Sequence, residues 1–369
     1  MIKTYKIKKH GVLLCTALIG LFSCKKEDAT LPLSDSSKTE ATIGSASELS
    51  GSAMAVGSIQ NLLSGSALQT GVVGHPFGSE PYQNVSAATQ IKLIKGMGMN
   101  WYRIGALVTS SGTVTVPHLF DPLLEAAAAG SVNILPMIYL RTMDFNDSQA
   151  ESYKKGKTLG ANFAAKYGKY FTYYNLGNDL ELDLLLPKTT GRSQDHYDRA
   201  KFNVTAAYLK GMDDGIKSKD PGAKTMIGAG WLHYAFLRML DWYGVNYDVV
   251  AYQWYSDMEN NAPKSPNNIP DITLKLSSLF PNKPIWFTEF NYRYKSSLTA
   301  AQNEAAQKEF IANFLVKCKR NPQVKVAIAY ELFDEPVKSW QESNYGLMKW
   351  TTPFKVWKNK LSADALLLK

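Results

Sequence analysis

Two short apolar runs in the sequence each lead into a carboxylate, and these two acids have the residue type and setting that catalysis would need. The first run, residues 171–179, ends at Asp179, and the second, residues 283–290, carries Glu289 next to its end. Each run has the uninterrupted apolar character of a strand that is buried on both faces. If both strands belong to a parallel α/β barrel, their carboxyl ends open onto the same face. Two carboxylates that face each other across a cleft can catalyse glycoside hydrolysis.

The alternation of strand-like and helix-like segments predicts a scaffold that would bring these acids together. Continuous apolar runs indicate strands covered by helices, and amphipathic stretches lie between them. The strand candidates are residues 68–73, 101–104, 133–138, 171–179, 225–229, 248–252, 283–290 and 326–330, and the helix candidates include 87–97, 120–129, 151–167, 197–217 and 300–320. Eight such units predict an α/β fold, a single (β/α)8 TIM barrel over residues 66–369. No Gly-rich loop follows the last two strands, which argues against a phosphorylated substrate.

The motifs around the two acids resemble those of clan A glycoside hydrolases. In that clan an Asn-Glu pair closes the fourth strand and a Glu closes the seventh, which are the places of Asn178 with Asp179, and of Glu289. The phrase YNLGNDL at 174–180 is similar to the YELGNEL of relatives of the β-xylosidase and α-iduronidase family. The resemblance covers residues 68–360. It implies a TIM barrel, a glycosidase activity and a poly- or oligosaccharide substrate.

The resemblance also implies a role for each polar residue near the acids. Glu289 would be the nucleophile of a retaining reaction, and the acid of the fourth strand would protonate the leaving oxygen from about 5 to 5.5 Å away. Arg103 would keep Glu289 ionised by its opposite charge, and Tyr255 would donate a hydrogen bond to it. Asn178 would bind the sugar 2-hydroxyl, a contact that strengthens in the transition state. Burial or the neighbouring carboxylate would raise the pKa of the acid and keep it protonated.

The sequence departs from this pattern at the acid, because Asp179 stands where the family has Glu. Asp is one methylene shorter, so its carboxyl reaches roughly 1 to 1.5 Å less far, a misplacement that can cost about a hundredfold in rate. Three interpretations therefore stay open. Asp179 is the acid on a shifted backbone; or Glu181 reaches in instead, because residues two apart share a face of a strand; or the acid is lost. In the last case the chain is a non-catalytic cell-surface barrel that binds glycans.

Two further positions differ from the clan's pattern. Gln253 stands where many members place a His before the Tyr of strand six. Because Gln hydrogen-bonds but does not titrate, we expect it to contact sugar rather than transfer a proton. Glu331 follows the eighth strand, where the clan often has Trp. It would bind a pair of sugar hydroxyls in the cleft, and the alternative is a hydrogen-bonded residue at the rim.

Ring side chains that follow strands are candidates for sugar stacking. Trp231 follows the fifth strand, Trp254 follows the sixth and His75 follows the first. The C–H faces of pyranose rings pack on such side chains, which bury much area with little loss of rotamer freedom. His75 and His233 have no third ligand at a suitable spacing, so we expect no metal site, and nothing indicates a cofactor.

The first residues have the composition of an export signal. Residues 1–23 combine four lysines with a short apolar run that is too short for a permanent membrane span. They end before Cys24 in a sequence that resembles a bacterial lipobox, and the charged residues 25–28 resemble the surface-export signal of Bacteroidota lipoproteins. Residues 24–65 are rich in small and polar residues and predict a tether. We expect an outer-membrane lipoprotein, lipidated at Cys24 and displayed on the cell surface, with a periplasmic location as the alternative.

Charge and cysteine content exclude other classes. The formal charge is +9 and falls to +5 once the four lysines of residues 1–23 are removed, and no basic run accompanies it. This pattern argues against a nucleic-acid partner. Cys318 has no partner left once Cys15 is cleaved off and Cys24 is lipidated, so we expect no disulfide and a buried apolar role for Cys318. We therefore expect a monomer whose partners are a saccharide substrate and, through the lipid, the membrane.

Overall fold

The structure, a computed structural model, describes residues 68–336, 339 and 342–366, and contains eight parallel strands that close into a barrel. The strands are β1 (Gln69–Gly74), β2 (Trp101–Ala106), β3 (Asn133–Ile138), β4 (Tyr173–Leu176), β5 (Lys224–Gly230), β6 (Val249–Tyr255), β7 (Ile285–Asn291) and β8 (Val324–Ala329). Each strand pairs with the next along the chain, and β1 also pairs with β8. With helices between the strands, this is a (β/α)8 TIM barrel, and the predicted fold is confirmed.

The helices that follow the strands lie outside the barrel. They are α1 (Glu80–Gln83), α2 (Ala87–Gly96), α3 (Pro117–Gly130), α4 (Gln149–Tyr167), α5 (Arg199–Lys219), α6 (Tyr234–Tyr243), α7 (Ser256–Asn261), α8 (Ile272–Leu279), α9 (Ala300–Arg320) and α10 (Leu361–Ala365). Polar side chains start the long ones: Ser148 and Glu151 form a capping box before α4, and Asp198 accepts two backbone N–H groups at the start of α5. The five helices named from the sequence are all present.

Large apolar side chains fill the amino-terminal end of the barrel. The rings of Trp101 and Trp286 meet edge to face at 4.7 Å between centroids, and Tyr173 lies 4.5 Å from Trp286. Leu135 and Met226 are buried in the same cluster. All five residues come from the first three positions of their strands. The polar residues at the carboxyl ends are thus left to line the opposite face, where barrel enzymes bind their substrates.

Two strand ends differ from the sequence prediction. β4 ends at Leu176, so Asp179 lies in the loop behind the strand instead of closing it. β7 continues to Asn291, so Glu289 lies within the strand. Asp179 and Glu289 therefore approach the barrel mouth from different kinds of backbone, one from a turn and one from a strand.

The remaining described residues add an antiparallel hairpin, β9 (Met348–Thr352) and β10 (Val356–Asn359), which the sequence did not predict. Cys318 is buried in α9, as expected. Across the described part of the chain, the helices are too short or too polar to serve as a bilayer span. The predicted signal peptide, Cys24 and the tether fall within residues 1–67, outside the described residues.

Candidate active site

A cleft of about 550 Å³ opens at the carboxyl ends of the strands, and most of the predicted site residues line it. Its walls carry both acids, Asp179 and Glu289. The other predicted residues that line it are Asn178, Arg103, Tyr255, Trp231, His75, Gln253 and Glu181. The structure thus brings together side chains from β1, β2, β6 and β7 and from the loops after β4 and β5.

A bulge in β7 accompanies the placement of Glu289. Tyr252 pairs with Phe287 and the next residue, Gln253, pairs with Glu289, which leaves Thr288 as an extra residue in β7. Such a bulge bends the strand locally and changes where the following side chain points. The carboxyl group of Glu289 lines the cleft, although the strand around it is buried.

Two donors hold the Glu289 carboxylate. Arg103 Nη1 donates to Glu289 Oε1 at 2.7 Å, and Tyr255 donates its hydroxyl proton to Oε2 at 3.0 Å. Both side chains of the ion pair are almost fully buried. Each carboxylate oxygen therefore has a donor, one of them cationic, which favours the charged form of Glu289.

Arg103 also ties β2 to β4 and to the loop behind it. Its Nε donates to Asn175 Oδ1 at 2.9 Å, and its Nη2 donates to Asn178 Oδ1 at 2.6 Å. Asn178 Oδ1 accepts a second bond from Gln253 Nε2 at 3.1 Å. With its oxygen occupied twice, Asn178 directs its amide nitrogen to Asp179 Oδ2, at 2.8 Å. A chain of hydrogen bonds thus runs from Glu289 through Arg103 and Asn178 to Asp179.

Asp179 occupies a left-handed turn, with φ of 52°, two residues after Gly177, whose φ is 73°. Non-glycine residues adopt this conformation rarely, and Asp is among those that tolerate it best. A Cβ on Gly177 would lie 2.7 Å from Leu180 and 2.8 Å from Leu140, so this turn also requires glycine. Asp179 therefore reaches the cleft from a left-handed turn rather than from the end of a strand.

Asp179 and Glu289 have opposite electrostatic surroundings. Burial, followed by the negative charges of Glu289 and Glu181, raises the pKa of Asp179 from 3.8 to about 7. A hydrogen bond from Gln253 and the charge of Arg103 act in the other direction but are weaker. Asp179 is thus about half protonated at pH 7, while Glu289 lies against a guanidinium group. Two carboxyls whose environments differ in this way suit one acid and one anionic role.

Glu181, which the sequence alternative had reach into the cleft as the acid, lies in the cleft wall. It is almost fully buried in a short 3-10 helix, Leu180–Leu184. Its Oε1 accepts the backbone N–H of Gly230 at 2.8 Å and lies 3.3 Å from His233 Nδ1. Glu181 therefore stands at the cleft wall with one oxygen bound to the end of β5.

Glu331 corrects a prediction, because it does not reach the cleft. Its side chain is fully buried; Oε2 lies 2.8 Å from His75 Nδ1 and accepts the Tyr82 hydroxyl at 3.2 Å. Burial beneath His75 leaves it no path to a sugar hydroxyl. Glu331 is thus hydrogen-bonded, as the alternative had it, but below the rim rather than on it.

His75 corrects the expectation that it lacks further metal ligands. Glu331 and Glu335 both approach its Nδ1, at 2.8 and 2.9 Å, and the three ligand atoms lie within 4.8 Å of one another. One imidazole and two carboxylates are a donor set that divalent transition metals accept. The same contacts also suit a protonated His75 that pairs with both acids. The sequence did not indicate this cluster, because 260 residues separate His75 from Glu335 along the chain.

Trp254 is a second correction, because it is 1% exposed and does not line the cleft. Its indole N–H donates to Glu259 Oε2 at 2.7 Å, and its ring stacks on Trp231 with 6.2 Å between centroids. Trp254 is therefore unable to stack on a sugar. It supports Trp231, which does line the cleft, from the protein side.

Several cleft residues were not named from the sequence. Tyr139 directly follows β3 and is 40% exposed. Burial, and to a lesser extent the charges of Glu289 and Asp179, raises the pKa of Tyr139 against the opposing charge of Arg103, so its hydroxyl lies near both acids. Its place behind a strand is the signal that could have identified it. Other such lining residues are Met258, Arg293, Tyr330, Glu342 and Tyr345.

Comparison with solved structures supports the fold independently. The chain is similar to the family 1 b-glucosidase from Thermotoga maritima, with a TM-score of 0.55 and 10% identity over 81% of this chain and 96% of that one. The beta-glucosidase from Thermotoga maritima in complex with azafagomine gives 0.59 and 10%, over 82% and 97%. The beta-glycosidase BGL167 gives 0.56 and 14%, over 81% and 95%. No protein-family model matches the sequence, and no curated protein matches it either.

Proposed function

We propose that this protein is a glycoside hydrolase that cleaves a poly- or oligosaccharide with two carboxyl groups, Asp179 and Glu289. The observation that carries the proposal is the contrast between them in one cleft: burial and nearby negative charges raise the pKa of Asp179 to about 7, and Glu289 is paired with Arg103. Glycoside hydrolysis needs one acid and one carboxylate on either side of the scissile bond. The similar solved structures are glycosidases by name, and at this identity they support the barrel that such a site requires.

We further propose a retaining mechanism with the following roles. Glu289 attacks the anomeric carbon while Asp179 gives its proton to the leaving oxygen, so the glycosidic bond breaks as a glycosyl-enzyme ester forms. Asp179, now ionised, then takes a proton from water, which attacks the same carbon and releases Glu289. Asn178 keeps a second N–H for the sugar 2-hydroxyl, since its other N–H is bound to Asp179.

The walls of the cleft supply sugar contacts in this proposal. Trp231 offers a ring face that Trp254 supports from behind. Gln253 holds Asn178 in place and is itself a cleft residue, and His75 borders the opposite side with Glu331 fixing its ring. Each would bind hydroxyl groups or a ring face of the substrate, and none of them transfers a proton.

A glycan-binding barrel without catalysis is the second candidate, and the short side chain of Asp179 favours it. The experiment that separates the two is a screen of the full chain against aryl glycosides and oligosaccharides, scoring products by chromatography and binding by calorimetry. Turnover that is lost in Glu289→Gln, with binding kept, supports the hydrolase. Binding with no turnover in the wild-type chain overturns it in favour of the binding protein.

We also propose that the chain is exported and anchored by lipid at Cys24 on the outer membrane, facing outward. The support is in the sequence alone: the basic and apolar character of residues 1–23, the cysteine that follows, and the charged residues 25–28. The wild-type chain should take up labelled fatty acid and be cleaved by protease added to whole cells, whereas Cys24→Ala should remain unlabelled. Labelling without protease access would indicate the periplasmic alternative.

A further inference from the structure

Glu181 is a buried carboxylate that the proposed mechanism does not use. It is 1% exposed, and its Oε1 carries the contacts to the Gly230 N–H and to His233. Its second oxygen, Oε2, is buried and has no hydrogen-bond partner among the described residues. An unsatisfied carboxylate oxygen costs free energy, so its retention at the wall of the cleft calls for a reason.

The position of Glu181 links it to Asp179 through the backbone. Asp179 caps the 3-10 helix Leu180–Leu184, and Glu181 is the second residue of that helix. Because Glu181 binds the N–H of Gly230, the last residue of β5, it fixes this short helix against the barrel. The left-handed turn at Asp179 is thereby held from its carboxyl side, as Gly177 sets it from the amino side.

The charged groups around Asp179 leave it with an excess of negative neighbours. Glu289 faces it from β7 and Glu181 from its own loop, both disfavouring its ionised form. Arg103, from β2, is the cation that opposes them, and its guanidinium is already bound to Glu289.

Two more titratable groups complete these surroundings. Tyr139, after β3, lies near Asp179 and carries no charge at neutral pH; burial raises its pKa further above the ordinary value of 10.0. His233, after β5, contacts Glu181 and would weaken its field if protonated. With His233 neutral, Glu181 acts on Asp179 as an unneutralised anion.

We propose that Glu181 is the positioning residue that holds the turn at Asp179 and places a negative charge beside it, so that a side chain as short as Asp can serve as the acid; this rests on the proposed function. In this proposal Glu181 itself does not act on the scissile bond, because its Oε1 is bound to Gly230 and its Oε2 is buried. In the alternative, in which Glu181 is the acid, its replacement would abolish turnover of substrates with poor leaving groups.

The test is a titration of Asp179 that requires no turnover. Asp carboxyl carbons are labelled with 13C and followed by NMR from pH 4 to 9, with the resonance assigned by its loss in Asp179→Asn. In Glu181→Gln, which keeps an oxygen for the Gly230 N–H, the midpoint for Asp179 should fall by about one pH unit or more, as removal of a close like charge requires. Asp183→Asn removes the same charge from an exposed position in the same short helix and should leave the midpoint unchanged.

An unchanged midpoint in Glu181→Gln overturns the proposal. If Glu181→Gln does not fold, Glu181→Asp replaces it, because this variant keeps the charge. The titration midpoint of Asp179 should then stay at its wild-type value, and a midpoint lower by one pH unit or more refutes the electrostatic role. Where the wild-type chain hydrolyses a glycan, the alkaline limb of kcat/KM should move down by the same amount in Glu181→Gln. A chain without turnover refutes the proposed function, while the titration still decides the relation between Glu181 and Asp179.

Discussion

Removal of the Arg103 guanidinium tests the network that joins the two acids. In Arg103→Met the Glu289 carboxylate loses its cationic partner, and Asn175 and Asn178 each lose a donor. The ion pair is nearly excluded from water, with side-chain exposures of 4% for Arg103 and 9% for Glu289. The substitution therefore leaves a charge in a poorly solvated site, with only the Tyr255 hydroxyl still bound to it.

The expected loss follows from this burial. Breaking a buried ion pair by removing one partner costs about 3 to 5 kcal/mol. Because Glu289 borders an open cleft, some water can reach it, and we expect a loss of about 3 kcal/mol in the free energy of unfolding. At about 2 to 4 °C per kcal/mol for a domain of this size class, the midpoint of thermal unfolding should fall by roughly 6 to 12 °C.

Urea unfolding of four proteins measures this loss: the wild type, Arg103→Met, Glu289→Gln and the double variant. Neutralising Glu289 removes the stranded charge, so Arg103→Met should cost at least about 1 kcal/mol less in the Glu289→Gln background. Arg199→Met is the control, because Arg199 is exposed at the start of α5 and its loss should change stability by no more than about 0.5 kcal/mol. Costs for Arg103→Met that are below 1 kcal/mol, or equal in both backgrounds, would refute the buried-pair reasoning.

Three further predictions concern the acids and the aromatic wall. The pKa of Asp179 is about 7 in the folded protein and 3.8 ordinarily, so the native state binds the proton more tightly and the free energy of unfolding should fall as pH rises from about 4 through 7. In urea unfolding, Asp179→Asn should lack this fall and be more stable than the wild type by on the order of 2 kcal/mol at pH 8. Asp179→Ala should suppress substrates with poor leaving groups far more than activated aryl glycosides, and added azide should partly restore turnover; equal losses on both substrate types would contradict an acid role. Trp231→Ala should raise KM or weaken glycan binding about tenfold with little change in stability, whereas the buried Trp254→Ala should lower the free energy of unfolding by about 3 to 5 kcal/mol. Equal effects of the two substitutions in both assays would contradict the places of these two side chains.

The strands were predictable from the sequence because their signal is local. Residues 134–138, for example, are apolar throughout, as strands covered on both faces must be, and β3 covers Asn133–Ile138 in the structure. Arg103 and Tyr255 were placed beside Glu289 by the resemblance to clan A glycoside hydrolases. In the structure both contact Glu289, from β2 and β6.

The errors arose where position along a strand does not decide burial. Trp254 lies at the end of β6 like the cleft residue Tyr255, but successive strand residues point to opposite sides, and Trp254 packs under Trp231. Glu331 follows β8, yet the pairing with His75 draws it below the surface. The left-handed turn at Asp179 also could not be predicted, because the contacts that hold it come from β5 and β2 rather than from its neighbours in sequence.

In the proposed mechanism, Asp179 is the acid and Glu289 is the nucleophile of one glycosidase. The most direct test uses activated 2-deoxy-2-fluoro glycosides of several sugars, which slow hydrolysis of a glycosyl-enzyme, followed by intact-mass and peptide mass spectrometry. We expect one sugar to add a single glycosyl mass to the wild-type chain, located on Glu289, and no added mass in Glu289→Gln. The nucleophile role of Glu289 would be contradicted by a label on another carboxylate. It would also be contradicted by substrate turnover in Glu289→Gln at more than a few per cent of the wild-type rate.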